Sequence, residues 1–325
     1  MLFGILAGLA TCALWGLTFV APRAVEPFTA WDLTVARYGI FGLACALLMI
    51  GRRFRPTGIA PRRLLTGLLL GGAGYTGYFI CAAFAVQLAG AAIPPVIIGA
   101  MPVLLAVIGN ARDRTAPWAA LALPLLLTGA GVAIVNVAAL GRIDAADTQS
   151  LQRGILASIA ALVIWVVYGL VNAAVMRSAD APDGLKWTGL QGIGAAAASL
   201  FLLPLSSLTQ MDAFQEHDLY RFMGWALVMG LAGSWLATWC WVVASRRLPL
   251  ALAAQLIAAE TVFGLAYGFA FEGRWPLWWE VLGAGLQIAG VCCAVNVFSG
   301  RPAASLLDDT ASSPGCELHT KQCSV

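Results

Sequence analysis

Two charged side chains stand inside stretches that are otherwise almost wholly apolar: Glu260 within residues 249–271 and Arg37 within residues 32–50. A carboxylate in such surroundings can accept a proton or bind an amine, and a guanidinium can grip a carboxylate through paired N–H donors. Glu260 falls about eleven residues into its stretch, roughly 16 Å along a helix and so near the middle of a bilayer. Insertion scales put the cost of a charge at that depth at about 2.5–3.5 kcal/mol, and such a group usually faces a bundle interior or a wet cavity. Glu260 is therefore expected to couple protons or bind a substrate amine, or else to hydrogen-bond a neighbouring helix as a packing group. Tyr267, seven residues on, shares its helical face. Arg37 has three readings: it binds a substrate carboxylate, snorkels to the membrane edge, or pairs with Asp32.

Aromatic and hydroxyl side chains recur at helical spacing around these charges. Thr11, Trp15 and Thr18 share one face; so do Tyr75 and Tyr78, Trp165 and Tyr168, and Trp235 and Trp239. Midway across a membrane such rings can wall a chamber for an amphipathic solute, and singly each reads equally as ordinary packing. The substrate-binding candidates are thus Trp15, Thr18, Arg37, Tyr75, Tyr78, Trp165, Tyr168, Trp239, Glu260 and Tyr267, with Glu260 also the proton-coupling candidate. Gln87 and Gln255 are weaker candidates, while Trp275, Trp278 and Trp279 resemble an interfacial belt. Cys316, Cys323 and His319 are too few ligands for a closed tetrahedral metal shell, and the other cysteines lie in apolar runs where a thiol acts as a small hydrophobe. No cofactor or metal is expected.

The elements that must position these groups follow from composition. The 325 residues are 60% hydrophobic and only 11% charged, with mean hydropathy +0.84. A water-soluble exterior would be about a quarter charged, so the surplus apolar surface must face lipid. Stretches long enough to span lie at roughly 3–21, 32–50, 64–87, 92–110, 117–138, 154–176, 185–205, 222–244, 249–271 and 277–298. The first is read as a retained helix, since it lacks a basic start and a clean small-residue cleavage site. Residues 299–325 have the composition of a disordered tail. The basic residues Arg52, Arg53, Arg55, Arg62, Arg63, Arg112, Arg114, Arg177, Lys186, Arg246, Arg247, Arg301 and Lys321 fall on one side. Only Arg23, Arg142, Arg153, Arg221 and Arg274 fall on the other. The positive-inside rule makes the first side, with both termini, cytoplasmic.

The chain also repeats itself. Gly4-Ile5-Leu6-Ala7 returns as Gly154-Ile155-Leu156-Ala157, and Trp15 aligns with Trp165. Further on, Gly71, Gly74 and Cys81 align with Gly230, Gly233 and Cys240, Asp113 with Glu272, and Ala130-Gly131-Val132 with Ala289-Gly290-Val291. Repeats of five spans enter the membrane in opposite directions, a hallmark of secondary transporters with a midplane site. The expected fold is all-α: a polytopic membrane protein of ten transmembrane helices in two inverted repeats. These cover residues 3–138 and 154–298, with a loop at 139–153. Small residues such as Gly4, Gly8, Gly67, Gly71, Gly192 and Gly194 allow close helix contact, and Pro94, Pro95 and Pro102 are expected to interrupt the fourth helix.

With Trp15-Gly16-Leu17-Thr18-Phe19 in the first span, Arg37-Tyr38 in the second, Pro102 in the fourth, and Asp113, Glu260 and Glu272, the sequence resembles the EamA family of the drug/metabolite transporter superfamily over about residues 3–298. The resemblance implies a ten-helix carrier with a central cavity, often an exporter of amino acids or other metabolites. Glu260 is followed by Thr261 where that family often has proline, so no kink is implied in the ninth helix.

Other classes fare worse. Both histidines, His217 and His319, and both lysines, Lys186 and Lys321, fall outside the spans, which removes a histidine dyad or a Schiff-base lysine. No Gly-rich loop with lysine is present for ATP, and the scattered charge does not fit nucleic acid. The expected function is secondary transport of small metabolites by alternating access, with export the expected direction and protons a candidate drive. The sparse buried positive charge disfavours sugar phosphates and nucleotide sugars. The partners are the lipid bilayer and a small-molecule substrate, and a homodimer is compatible with the sequence. A lipid flippase and a non-transporting scaffold or receptor are the alternative readings.

Overall fold

The computed structural model describes residues 1–89, 97–140, 148–208 and 214–299, and among these every regular element is a helix. Ten long elements organise it. They are α1 (Leu2–Gly16), α2 (Ala30–Leu48), α3 (Pro61–Gly71 continuing to Ala89), α4 (Met101–Asp113) and α5 (Trp118–Leu140). Then come α6 (Thr148–Met176), α7 (Gly184–Ser199), α8 (Glu216–Leu227 continuing to Arg247), α9 (Leu250–Glu272) and α10 (Trp278–Ser299). Among the described residues nine helices are long and apolar enough to cross a membrane; α4 is the exception at 13 residues. The expected fourth span, 92–110, is described only from residue 97, so Pro94 and Pro95 lie outside the described residues, as do Arg142, the tail beyond Ser299 and the side chains of Gln87 and Glu272.

Leu126, Leu156 and Phe201 are 70%, 66% and 82% exposed. Side chains this apolar on this many helices require lipid rather than water as solvent. This is a polytopic membrane protein.

One sequence expectation is corrected: residues 148–153, placed in a loop, are the first turns of α6. The expected fourth span is broken by a turn at residues 99–100, and Pro102 sits in the first turn of α4 just beyond it, where its missing N–H costs nothing. By contrast α9 runs unbroken through Glu260-Thr261.

Local chemistry sets the helix ends. Thr29 and Asp32 form a reciprocal capping box at α2, and Asp183 accepts from the backbone N–H groups of Leu185 and Lys186 at α7. Gly273, at φ 62°, closes α9 in the left-handed region. Both α3 and α8 carry a π-helical stretch midway, Gly72–Gly77 and Val228–Leu236. Wide turns of this kind commonly lie at functional sites.

Cross-contacts sort the loops to two ends. Arg63 bonds Asp180, Lys186 donates to the Thr57 carbonyl, Arg177 pairs with Asp113 at 2.6 Å, and Arg247 lies over the Phe3 ring. The arginine clusters therefore share one end with the start of α1. At the other end Arg221 donates to the Glu26 carbonyl and Ser207 to Asp32.

Helix pairing follows an exchange. α2 packs on α7 and α5 on α10; α1 packs on α8 as α6 does on α3; α1 meets α9 as α6 meets α4. Bare backbone makes the closest of these contacts. A methyl on Gly71 would stand 2.0 Å from the Gln191 carbonyl oxygen, and one on Gly194 2.0 Å from the Leu68 carbonyl. Gly71→Ala must push α3 off α7 and is expected to cost about 1–3 kcal/mol, read as a lower melting temperature in detergent. Gly268→Ala, with nothing within 4 Å, should leave the melting temperature unchanged or slightly raised.

Candidate substrate chamber

The centre of the bundle is aromatic. Trp15 of α1 meets Trp165 of α6 edge-on at 5.3 Å, and Trp165 stacks on Tyr168 at 4.9 Å. Tyr75 and Tyr78 of α3 approach Trp165 at 6.1 and 5.2 Å. Five of the sequence candidates, Trp15, Tyr75, Tyr78, Trp165 and Tyr168, are thus placed around one point by ring contact. Trp239 is half-buried against the apolar core and makes no ring contact among the described residues, and Tyr267 stacks only on Phe263. Trp241, which touches Trp15 at 5.9 Å, was not singled out by sequence spacing.

Polar groups cross the same centre in a buried chain. The Thr238 hydroxyl donates to the Tyr75 hydroxyl at 2.9 Å, and the Tyr75 and Tyr168 hydroxyls are 2.7 Å apart. Tyr168 donates to the Gln191 amide oxygen at 2.9 Å, and the Gln191 amide nitrogen donates to Asn172. Asn172 also accepts from the Trp187 indole and donates to Ser245. Every member is buried. Apart from the two tyrosines and the register of Gln191, the sequence offered no signal for this chain, because isolated Thr, Asn and Gln residues in apolar runs look like helix-packing groups.

Arg37 is held differently from either structural expectation. It neither snorkels nor pairs with Asp32, whose carboxylate is filled by Thr29 and Ser207. Instead its guanidinium donates to Ser234 at 2.7 Å, to the Gly233 carbonyl at 2.9 Å and to Thr18 at 3.3 Å. The π turn of α8 supplies the first two, since Gly233 and Ser234 lie within it. Three of five N–H groups are used in this way, and the side chain remains partly accessible.

Three stations recur. Eight residues past the caps Thr29 and Asp183 stand Arg37 and Gln191. Four residues past the close-contact glycines Gly71 and Gly230 stand Tyr75 and Ser234. Three past Trp15 and Trp165 stand Thr18 and Tyr168. The trio Gln191–Tyr168–Tyr75 is therefore built from the same helix positions as the trio Arg37–Thr18–Ser234. The first lies toward the arginine-rich end, and the second lies toward the opposite end.

The two halves differ in openness. Residues 250–258 of α9, at the arginine-rich end, are buried at every position, whereas 259–263 and 267–269 are partly accessible. Glu260 stands at the boundary. Among the described residues its carboxylate accepts no hydrogen bond and no ion pair within 4 Å joins it to Arg37.

Comparison with known proteins agrees with this architecture. A solved crystal structure superposes with a TM-score of 0.71, covering 95% of this chain and 99% of its own, at 18% identity, which establishes the shared fold. Residues 152–296 match the EamA-like transporter family. The inner membrane protein YtfF of Escherichia coli is 30% identical over 321 residues, covering 93% of this chain and 98% of that protein. An all-helical membrane fold, a family match over the second half and a full-length relative converge: this chain belongs to the EamA-like transporter family of the drug/metabolite transporter superfamily, and it is a membrane transporter.

Proposed function

We propose that this transporter moves small zwitterionic or cationic metabolites, amino acids foremost, by alternating access between two inverted five-helix repeats at 3–138 and 154–298. The observation that carries the reading is that two intramembrane charges, Arg37 and Glu260, form no ion pair with each other among the described residues, in a bundle whose centre is an aromatic cluster. Arg37 addresses a substrate carboxylate with its free donors, Glu260 addresses the ammonium or a coupled proton, and Trp15, Tyr78 and Trp165 flank the apolar part. The repeated stations and the exchange of helix pairs support two halves that rock about a fixed midplane site.

The excess of basic residues in the loops at the arginine-rich end supports an orientation in which that end and both termini are cytoplasmic, in a cell with an inner membrane. On that orientation the chamber here opens outward and is sealed inward by the Gln191–Tyr168–Tyr75 chain. Export is the proposed direction, with protons entering in exchange through Glu260.

The test is counterflow in proteoliposomes carrying purified protein, with a labelled panel of neutral, aromatic and cationic amino acids and a sugar phosphate. Accumulation of at least one amino acid above protein-free vesicles, and none of the sugar phosphate, is expected. Movement of no solute together with scrambling of labelled phospholipid would replace this reading with a flippase.

A further inference from the structure

A cavity of about 280 Å³ opens at the arginine-rich end, between the start of α3, the end of α4 and the last turns of α6. Its rim is Arg63 and Arg112, and its floor is Leu170, Val171, Ala174 and Val175. That floor is not part of the substrate chamber. Leu156, Ile159, Val163 and Val167 are exposed, and their spacing carries the same α6 face into Leu170 or Val171 and then Ala174. The cavity is thus the head of a lipid-facing stripe overhung by two guanidiniums.

Charge at the rim is incompletely neutralised. Arg177 holds Asp113 at 2.6 Å, leaving Arg112 a 3.8 Å approach to the other oxygen of that carboxylate. Arg63 bonds Asp180, whose carboxyl is held below its ordinary range by its own backbone N–H and by that guanidinium. Asp180 lies on the exposed flank. Three guanidiniums against two carboxylates leave one net positive charge, which matches one phosphodiester. Ser178 adds little, because its hydroxyl already donates to the Val175 carbonyl at 2.7 Å.

We infer that this cleft is a binding site for an anionic phospholipid, with its phosphate on Arg112 and Arg63 and one acyl chain along the α6 stripe. Basic pockets between helices at a membrane interface select anionic headgroups in this way, and the continuous apolar floor favours a lipid over a free anion.

Native mass spectrometry of the delipidated full-length protein, offered phosphatidylglycerol or phosphatidylcholine with matched chains, tests this. Wild type should retain phosphatidylglycerol at least about fivefold better, the factor expected for one basic residue at a charged headgroup. Arg112→Gln should erase that preference, whereas Arg246→Gln, an exposed arginine at the same end, should keep it. Ala174→Trp, which fills the groove and spares both arginines, should also lose phosphatidylglycerol; this arm stands alone should Arg112→Gln fail to fold. Equal retention of the two lipids by wild type, or an unchanged preference in Arg112→Gln, overturns the inference. So does displacement of phosphatidylglycerol by millimolar inorganic phosphate that Ala174→Trp still binds.

Discussion

Glu260→Gln is expected to abolish the dependence of flux on a pH gradient while leaving solute exchange measurable. Glutamine keeps the volume and the polar end of the side chain, so the boundary between the buried and accessible halves of α9 stays filled. It cannot change charge, and so cannot alternate between a state that attracts Arg37 and one that does not. In the charged form Glu260 has no ion pair within 4 Å among the described residues, and intramembrane charges, which cost about 2.5–3.5 kcal/mol, mark functional sites by default. Gradient-driven transport should fall at least about tenfold, the rate factor of roughly 1.4 kcal/mol, whereas counterflow without a gradient should change far less. The measurement is flux of an identified substrate into proteoliposomes at imposed inside and outside pH. An undiminished response to the gradient in Glu260→Gln would remove this carboxylate from the coupling role and return it to packing.

What could be read in the residues follows from how far each signal reaches. Bilayer thickness demands long apolar runs, so the spans stood out, and the bilayer midplane made Glu260 and Arg37 conspicuous against them. Trp15 and Trp165 were legible as a pair because the chain repeats around them, and the structure puts them in contact at 5.3 Å. The π turns at Gly72–Gly77 and Val228–Leu236 were not legible. A helix with one wide turn keeps its apolar content, and only the clustered glycines hinted at it. Gln191, Asn172, Thr238 and Trp241 were missed for a related reason: hydropathy averages over them, and their importance lies in partners on other helices. One signal could have found Gln191. Counting from the two helix caps, rather than carrying over the offset of the first helix, puts it opposite Arg37.

That correspondence leads to the second large effect. Gln191→Leu is expected to open the arginine-rich end. In the state observed here the Gln191 amide accepts from Tyr168 and donates to Asn172, all within buried surroundings. Leucine fills similar space but leaves the Tyr168 hydroxyl hydrogen without an acceptor, at about 1–3 kcal/mol, while Asn172 keeps the Trp187 indole as its donor. The penalty falls only on the conformation in which this end is sealed, because water satisfies the same hydroxyl once it opens. A difference confined to one of two states shifts their populations, here by about tenfold or more. The Arg37 trio, made from the corresponding helix positions, is untouched and still able to close its own end. A cysteine at Ala254, fully buried in the sealed half, reports the change in a background lacking the native cysteines. Membrane-impermeant maleimide added at the arginine-rich end should label it at least about tenfold faster with Gln191→Leu than without. Arg37→Leu should act in the opposite sense, because it weakens the other closure and so favours the sealed arginine-rich end. Labelling that is equal in both variants would mean that the two trios are static packing, and that the gates of this transporter lie elsewhere along α3 and α8.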